Sequence, residues 1–304
     1  MTNDVILQQL KARNYLTIAR TITQLEHGIP RALDLLQAPT TTSPNIIGIT
    51  GPPGAGKSTL VDALIHHIVA QGSTVAVLCV DPSSPFNLGA LLGDRLRMSS
   101  WYTHPSVYIR SLATRGSLGG LHPYIIEITD LLKLSSFDYI IIETVGVGQS
   151  EIEIAGLADV TVVVLVPEAG DEVQTMKAGI MEIAQIFVVN KADRPDAEKY
   201  VQQLQLLLAP VYSHGAQVPI LKTIAHTNTT DNGIAALYNA IINKLAQGST
   251  PAHRIHLLTL KAYQLLQKKA MQHITIQQLH TQVQAACTQG NFNLWKFVAD
   301  FKQG

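Results

Sequence analysis

Gly51-Pro52-Pro53-Gly54-Ala55-Gly56-Lys57-Ser58 fits the pattern G-x-x-x-x-G-K-[ST] in full. Residues of these types in this order bind the phosphates of a nucleotide. The glycines let backbone N–H groups turn inward with no Cβ in the way. Lys57 then reaches the β- and γ-phosphates, and the Ser58 hydroxyl ligates Mg²⁺. The expected phosphate-contacting stretch is therefore Gly51, Pro52, Pro53, Gly54, Ala55, Gly56, Lys57, Ser58 and Thr59. The bland alternative is a tight glycine turn between strand and helix. Against it stands the context: an apolar run, Ile46–Thr50, precedes the motif, and a helical stretch through Leu60, Ala63 and Leu64 follows it.

A second motif names the base. Asn190-Lys191-Ala192-Asp193 follows the apolar run Ile186–Val189. In N-K-x-D the aspartate accepts hydrogen bonds from N1–H and the 2-amino group of guanine. Adenine has an acceptor at N1 and no 2-amino group, so it would leave a buried carboxylate unsatisfied, at a cost of about 1–3 kcal/mol or more. Lys191 lays its stem along the base and Asn190 braces the loop. GTP is expected in preference to ATP.

A third group bears on the metal. Asp138-Tyr139-Ile140-Ile141-Ile142-Glu143 is an apolar strand ending in a carboxylate, and Thr144-Val145-Gly146 follows. It stands where GTPases carry D-x-x-G, with Glu for Asp. Glu143 is expected to hold a water of the Mg²⁺ shell, because this ion keeps several waters. The Gly146 amide is expected to sense the γ-phosphate. Asp81 ends a second strand and Asp94 lies in Gly93-Asp94-Arg95; both can approach the metal, and either alone can be a helix cap or turn.

The elements that must position these residues follow from the apolar pattern. Candidate strands are Ile46–Thr50, Val75–Val80, Val107–Ile109, Tyr139–Glu143, Val160–Val166, Ile186–Asn190 and Ile220–Thr223. They are apolar throughout rather than alternating, as expected when helices cover both faces of a sheet. Strand and helix alternate along the chain. The fold class is therefore α/β, a doubly wound and mostly parallel sheet. Short helices lead in: Ile18, Ile22 and Leu25 share a face, Gly28 ends the run, and Pro30 suits the first turn of the next helix. A polar patch from Pro39 to Pro44 reads as a linker. After Gln247–Pro251 three amphipathic helices follow, with Ile255, Leu258, Ala262 and Leu265, then Ile276, Leu279 and Val283, then Leu294, Val298 and Phe301 on their faces. The expected division is residues 1–44 as a helical lead-in, 45–248 as the nucleotide domain, and 249–304 as a helical arm for packing or dimerisation.

Composition excludes other classes. The 304 residues carry 22 Lys plus Arg against 22 Asp plus Glu, and charged residues are 14%, against about 25% in ordinary soluble proteins. A nucleic-acid binder needs a surplus of Lys and Arg to displace counterions, so none is expected as partner. One lysine and a helix amino terminus still suffice for one triphosphate. The two cysteines, Cys79 and Cys287, form no framework, and no apolar run approaches the ~20 residues of a membrane span. A cytoplasmic protein without membrane contact is expected.

Several longer motifs together resemble the MeaB/ArgK family of GTPases. They are Asp81–Pro85 through Leu92–Met98, Arg110-Ser111-Leu112-Ala113-Thr114-Arg115-Gly116, Glu143-Thr144-Val145-Gly146-Val147-Gly148-Gln149-Ser150-Glu151, and Gly170-Asp171-Glu172 with Lys177-Ala178-Gly179. The resemblance runs from about Ala19 to Ala225. It implies a Mg²⁺-dependent GTPase that serves as a chaperone for an adenosylcobalamin-dependent acyl-CoA mutase, mainly methylmalonyl-CoA mutase. Such a chaperone couples GTP hydrolysis to cofactor loading and protection, and works as a homodimer. The resemblance places Lys57, Ser58, Asp81, Asp94 and Glu143 at the phosphate and metal site. It makes Asp171–Lys177 a further switch in which Lys177 supports stimulated hydrolysis. Two departures stand out: Asn87-Leu88 where Thr-Gly is expected, and Gln185 where Asp is usual.

Other readings remain open at this level. An ArgK-type kinase linked to basic amino-acid transport would use ATP, against the guanine motif. A nickel metallochaperone would need a metal cluster. His66-His67 does not supply one, since adjacent helical residues point about 100° apart. Arg95, Arg97, Arg110 and Arg115 are candidate phosphate or partner contacts.

Overall fold

The structure is a computed structural model that describes residues 2–39, 43–81, 98–114, 121–146, 153–168, 181, 183–209, 218–227, 231–248, 251–271, 274–288 and 292–301. Its chain divides into two compact units, Met1–Ser249 and Thr250–Gly304.

The first unit is built on seven strands: β1 (Asn45–Thr50), β2 (Val75–Asp81), β3 (Val107–Ala113), β4 (Tyr139–Glu143), β5 (Val160–Leu165), β6 (Ile186–Asn190) and β7 (Ile220–Thr223). Their order across the sheet is β3-β2-β4-β1-β5-β6-β7. Every pairing is parallel, so the expected mostly parallel sheet is parallel throughout the described strands. Parallel neighbours need crossovers, and helices supply them. Helix α4 (Lys57–Ala70) follows β1, α5 (Ile125–Lys133) precedes β4, α6 (Ala197–Leu208) links β6 to β7, and α7 (Ile234–Gln247) follows β7. The lead-in is α1 (Asn3–Lys11), α2 (Tyr15–Glu26) and α3 (Pro30–Leu35).

The apolar runs hide a two-residue period. On β4, Tyr139 and Ile141 face the cluster that holds Leu60, Leu64 and Ile68 of α4 and Leu237 and Ile241 of α7. Ile140 and Ile142 face the opposite cluster, with Leu10, Ile18, Ile22 and Leu25 of the lead-in and Ile128 and Leu131 of α5. Both faces are buried, so both parities are apolar. The lead-in stripe read at Ile18, Ile22 and Leu25 is thus core of the sheet, fully buried. Each such side chain contributes about 1.5–3 kcal/mol.

Strand β3 runs four residues beyond the expected end at Ile109. Arg110 and Ser111 interrupt its apolar run, and the reason they are tolerated lies far away in sequence. Glu26, at the end of α2, accepts a hydrogen bond from Arg110 Nη2 at 2.8 Å. Its other oxygen faces Nε2 of the fully buried His122 at 3.3 Å. Tyr124 N–H donates to His122 Nδ1, which leaves Nε2 as the nitrogen that carries a proton toward Glu26. Burial alone would raise the Glu26 pKa. The His122 hydrogen bond and the Arg110 charge and hydrogen bond outweigh it and hold the carboxyl at about 2. A depressed carboxyl stabilises the fold above its ordinary pKa, so this contribution is complete at neutral pH and is lost as the pH falls from about 4.5 towards 2.

The second unit consists of α8 (Pro251–Met271), α9 (Ile276–Thr288) and α10 (Leu294–Asp300). A capping box starts α9: Gln278 N–H donates to Thr275 Oγ1, and Thr275 N–H donates back to Gln278 Oε1. Asn293 Oδ1 caps α10 by accepting from Lys296 N–H. The apolar stripes of these helices are exposed, at 65% for Ile255 and 81% for Trp295. Among the described residues no helix is long and apolar enough to cross a membrane.

Candidate functional site

In a parallel sheet all strands release their carboxyl ends at one edge, and ligands bind there. At this edge β1 gives way to Gly51–Gly56 and then to α4. Asp81 ends β2, Glu143 ends β4 and Asn190 ends β6. The three motifs, spread over more than a hundred residues of sequence, thus share one edge.

The phosphate loop is shaped by glycine. Gly51 has φ +140°, and a Cβ there would lie 2.1 Å from the Val164 carbonyl oxygen. Gly56 has φ +84°, and its Cβ would lie 2.5 Å from Asn190 Nδ2. Only glycine fits both the left-handed backbone and the close approach. Lys57 is buried, and its ammonium donates to the carbonyls of Gly51 (2.9 Å) and Pro52 (3.0 Å). Ser58 Oγ donates to Glu143 Oε1 at 2.6 Å.

Glu143 leads into the turn that carries Gly146. Thr144 N–H donates to the Ile49 carbonyl, and its hydroxyl shares a buried 2.9 Å hydrogen bond with Thr50. These bonds lock the exit of β4 to the end of β1. Gly146 (φ +85°) then lies against the loop: a Cβ there would sit 2.3 Å from the Gly51 carbonyl oxygen and 2.5 Å from Lys57 Nζ. The Thr50–Thr144 pair escaped sequence reasoning, because no motif marks two threonines 94 residues apart.

The guanine motif is braced in the same way. Asn190 Nδ2 donates to the Ala55 carbonyl at 3.0 Å. Its Oδ1 accepts from Thr223 Oγ1 (3.0 Å) and from Ala225 N–H (3.3 Å). Asn190 therefore ties the phosphate loop to the end of β7, the bracing role read from sequence. Thr223 and Ala225 were not foreseen. Lys191 takes a left-handed φ of +56° and donates from Nζ to the Gly54 carbonyl at 2.8 Å. Ala192 N–H donates to the Thr223 carbonyl, and this turn leaves Asp193 exposed at the edge of the site.

Several expectations resolve on the same map. Asp81 is buried at the end of β2, and its carbonyl accepts from Thr114 N–H. Asp94 and Lys177 lie outside the described residues, as do Arg95, Arg97 and Arg115. Arg110 pairs with Glu26 at 2.8 Å. Gln185 Oε1 accepts from Thr161 N–H at 2.8 Å, so an amide oxygen fills the acceptor role open to the usual Asp. His66 and His67 part company as expected: one packs edge-on to Trp101 and the other against Tyr238. Trp101 in turn donates to Asp62 of α4 at 2.7 Å. Among the described residues no cluster of three or more His, Cys, Asp or Glu could hold a metal on its own.

A hard divalent cation fits the oxygen donors that are present. The Ser58 hydroxyl and the Glu143 carboxylate lie within one hydrogen bond of each other, Asp81 ends the next strand, and nucleotide phosphates and water complete such a shell for Mg²⁺.

Comparison with known proteins agrees with this map. Residues 18–288 match the family model described as methylmalonyl-CoA mutase-associated GTPase MeaB. A protein of Pyrococcus horikoshii named as a GTPase is 46% identical over 244 residues, covering 78% of this chain and 76% of its own. GTPase ArgK of Escherichia coli is 37% identical over 193 residues, 62% of this chain and 58% of its own. The mitochondrial methylmalonic aciduria type A homologue of Mus musculus is 35% identical over 238 residues, 75% of this chain and 56% of its own. Among solved structures, a LAO/AO transport system kinase aligns over 98% of this chain and 95% of its own with TM-score 0.66 at 23% identity, and so shares the fold. HypB of Helicobacter pylori, solved with nickel, aligns over 82% of this chain and 98% of its own with TM-score 0.50 at 17% identity.

Proposed function

Because the chain belongs to the MeaB family of methylmalonyl-CoA mutase-associated GTPases, we propose that it hydrolyses GTP in the service of an adenosylcobalamin-dependent acyl-CoA mutase. The observation that carries the proposal is the continuous match of residues 18–288 to that family, laid over a site that joins phosphate and guanine motifs through Asn190. The likeness to a nickel-bound relative supports the fold alone, since the two chains are 17% identical.

The chemistry follows from the residues at the strand ends. Lys57 offers a positive charge to the γ-phosphate as charge builds during in-line attack by water. Ser58 and Glu143, with Asp81 at the end of the neighbouring strand, would hold Mg²⁺, which would supply positive charge to the phosphates. Gly146, whose backbone lies against Gly51 and Lys57, would offer its amide to the γ-phosphate. Asn190, Lys191 and Asp193 orient the base. Among the described residues no strong base stands ready to take a proton from water, so intrinsic turnover is expected to be slow and accelerated by the partner.

Measuring phosphate release with and without an adenosylcobalamin-dependent acyl-CoA mutase tests this. The expected result is a severalfold or larger increase with the partner. An unchanged rate with every acyl-CoA mutase encoded near the gene would remove the chaperone role and leave the GTPase.

The exposed stripes of α8 to α10 support a second part of the proposal: the arm, residues 249–304, joins two copies of the chain. Side chains such as Ile255, Tyr263, Leu266 and Trp295 form more exposed apolar surface than a solitary helical unit ordinarily carries. Sedimentation is expected to give a dimer that Leu258→Glu and Leu266→Glu together convert to monomer. A monomer at all concentrations in the wild type would refute it.

A further inference from the structure

The cluster of half-buried Glu26 and Arg110 with buried His122 stands apart from the phosphate and guanine motifs. Stability alone does not account for it, because buried ion pairs are often matched by apolar residues of similar size. Ile22, one turn earlier on the same helix, and the adjacent Leu25 show that apolar side chains pack well there. What the cluster does is join three elements at one carboxylate. Arg110 lies in β3 and His122 lies just before α5, so the two residues flank the stretch 111–121. Glu26 of α2 holds both of its stems, at 2.8 and 3.3 Å.

One of those stems runs beside the metal carboxylate. Among the described strands β3 is outermost and pairs with β2 alone. In that pairing Arg110 is opposite Leu78 and Ala113 is opposite Asp81. The next residue, Thr114, donates its N–H to the Asp81 carbonyl at 3.0 Å. Strand β3 has a strand neighbour on one side only; near its carboxyl end Arg110 meets Glu26 of α2, and the Thr114 backbone meets that of Asp81.

We propose that Glu26 is a positioning residue for GTP hydrolysis: by clamping Arg110 and His122 it fixes the end of β3 against β2, and so holds Asp81 where it serves the Mg²⁺ shell. The inference rests on the Mg²⁺–GTP reading of the site. It makes the lead-in helix a functional part of the nucleotide site from a distance.

Glu26→Gln tests it, because the amide keeps the size of the side chain and loses the charge. Two quantities are read on the full chain: GDP affinity by calorimetry in EDTA and in Mg²⁺, and the Mg²⁺ concentration giving half-maximal hydrolysis. The expected result is an about tenfold higher Mg²⁺ requirement, with GDP affinity in EDTA changed by less than about twofold. His122→Gln keeps an N–H donor toward Glu26 and should fall between the two. A folded Glu26→Gln protein with the wild-type Mg²⁺ requirement overturns the proposal. So does an equal loss of GDP affinity with and without Mg²⁺, which marks a role in stability alone. Should Glu26→Gln fail to fold, Arg110→Lys keeps the charge without the guanidinium fork and is judged by the same two readings. A wild-type protein whose hydrolysis ignores Mg²⁺ would instead remove the site reading beneath the inference.

Discussion

Replacing Lys57 by alanine is expected to lower GTP turnover by roughly 10²–10³-fold while the fold survives. The ammonium rests on two uncharged carbonyls, those of Gly51 and Pro52. Carbonyls orient a cation without cancelling its charge. Once the lysine is gone, both carbonyls can accept from water, so the loss of stability is small. Arginine should not rescue the activity. Gly146 presses so closely that a single Cβ on it would come within 2.5 Å of Lys57 Nζ, which leaves no room for a planar fork. Single-turnover hydrolysis and a thermal melt on the same protein separate the two effects. Turnover within a fewfold of wild type would remove Lys57 from the mechanism.

Asp193→Asn is expected to invert the choice of base. The carboxylate accepts two hydrogen bonds from guanine, whereas an amide brings a donor against one of those donors. Xanthine carries a carbonyl oxygen where guanine carries its 2-amino group, and an amide N–H can donate to it. A site built on such pairings discriminates by roughly 10⁴-fold, and the preference should swing from GTP to XTP by a comparable factor. The turn that presents Asp193 is fixed independently, by the left-handed Lys191 and by Ala192 N–H on the Thr223 carbonyl. The substitution therefore changes chemistry and leaves the backbone alone. Competition between GTP and XTP for the variant is the measurement, and undiminished GTP affinity would refute the assignment.

What could be read from the sequence, and what could not, divides along a physical line. The phosphate loop, the run ending in Glu143 and the Asn190–Asp193 motif are local in sequence, and each carries its own glycine or charge signature. Strands β1, β2, β4, β5 and β6 were visible as apolar runs because both of their faces are buried. Strand β3 was read short because Arg110 and Ser111 look like an ending. They are not, since Glu26 meets the guanidinium from 84 residues away. The braces of the site were hidden for the same reason. Thr50 with Thr144, and Asn190 with Thr223 and Ala225, meet only after the sheet has ordered its strands. Distance in sequence, not weakness of interaction, kept them out of reach.

The central place of β1 has a consequence for the chain as it is made. Its neighbours in the sheet are β4 and β5, and the loop it launches is braced by Asn190, which is 135 residues beyond Ala55. During synthesis, at roughly 5–20 residues per second, the phosphate loop therefore leaves the ribosome many seconds before the wall that shapes it exists. A nascent chain cut short before β6 has the phosphate loop but lacks both the Asn190 brace and the guanine motif. Guanine nucleotide is thus a ligand of the finished sheet, and its capture marks the moment at which both halves of the sheet have closed around β1.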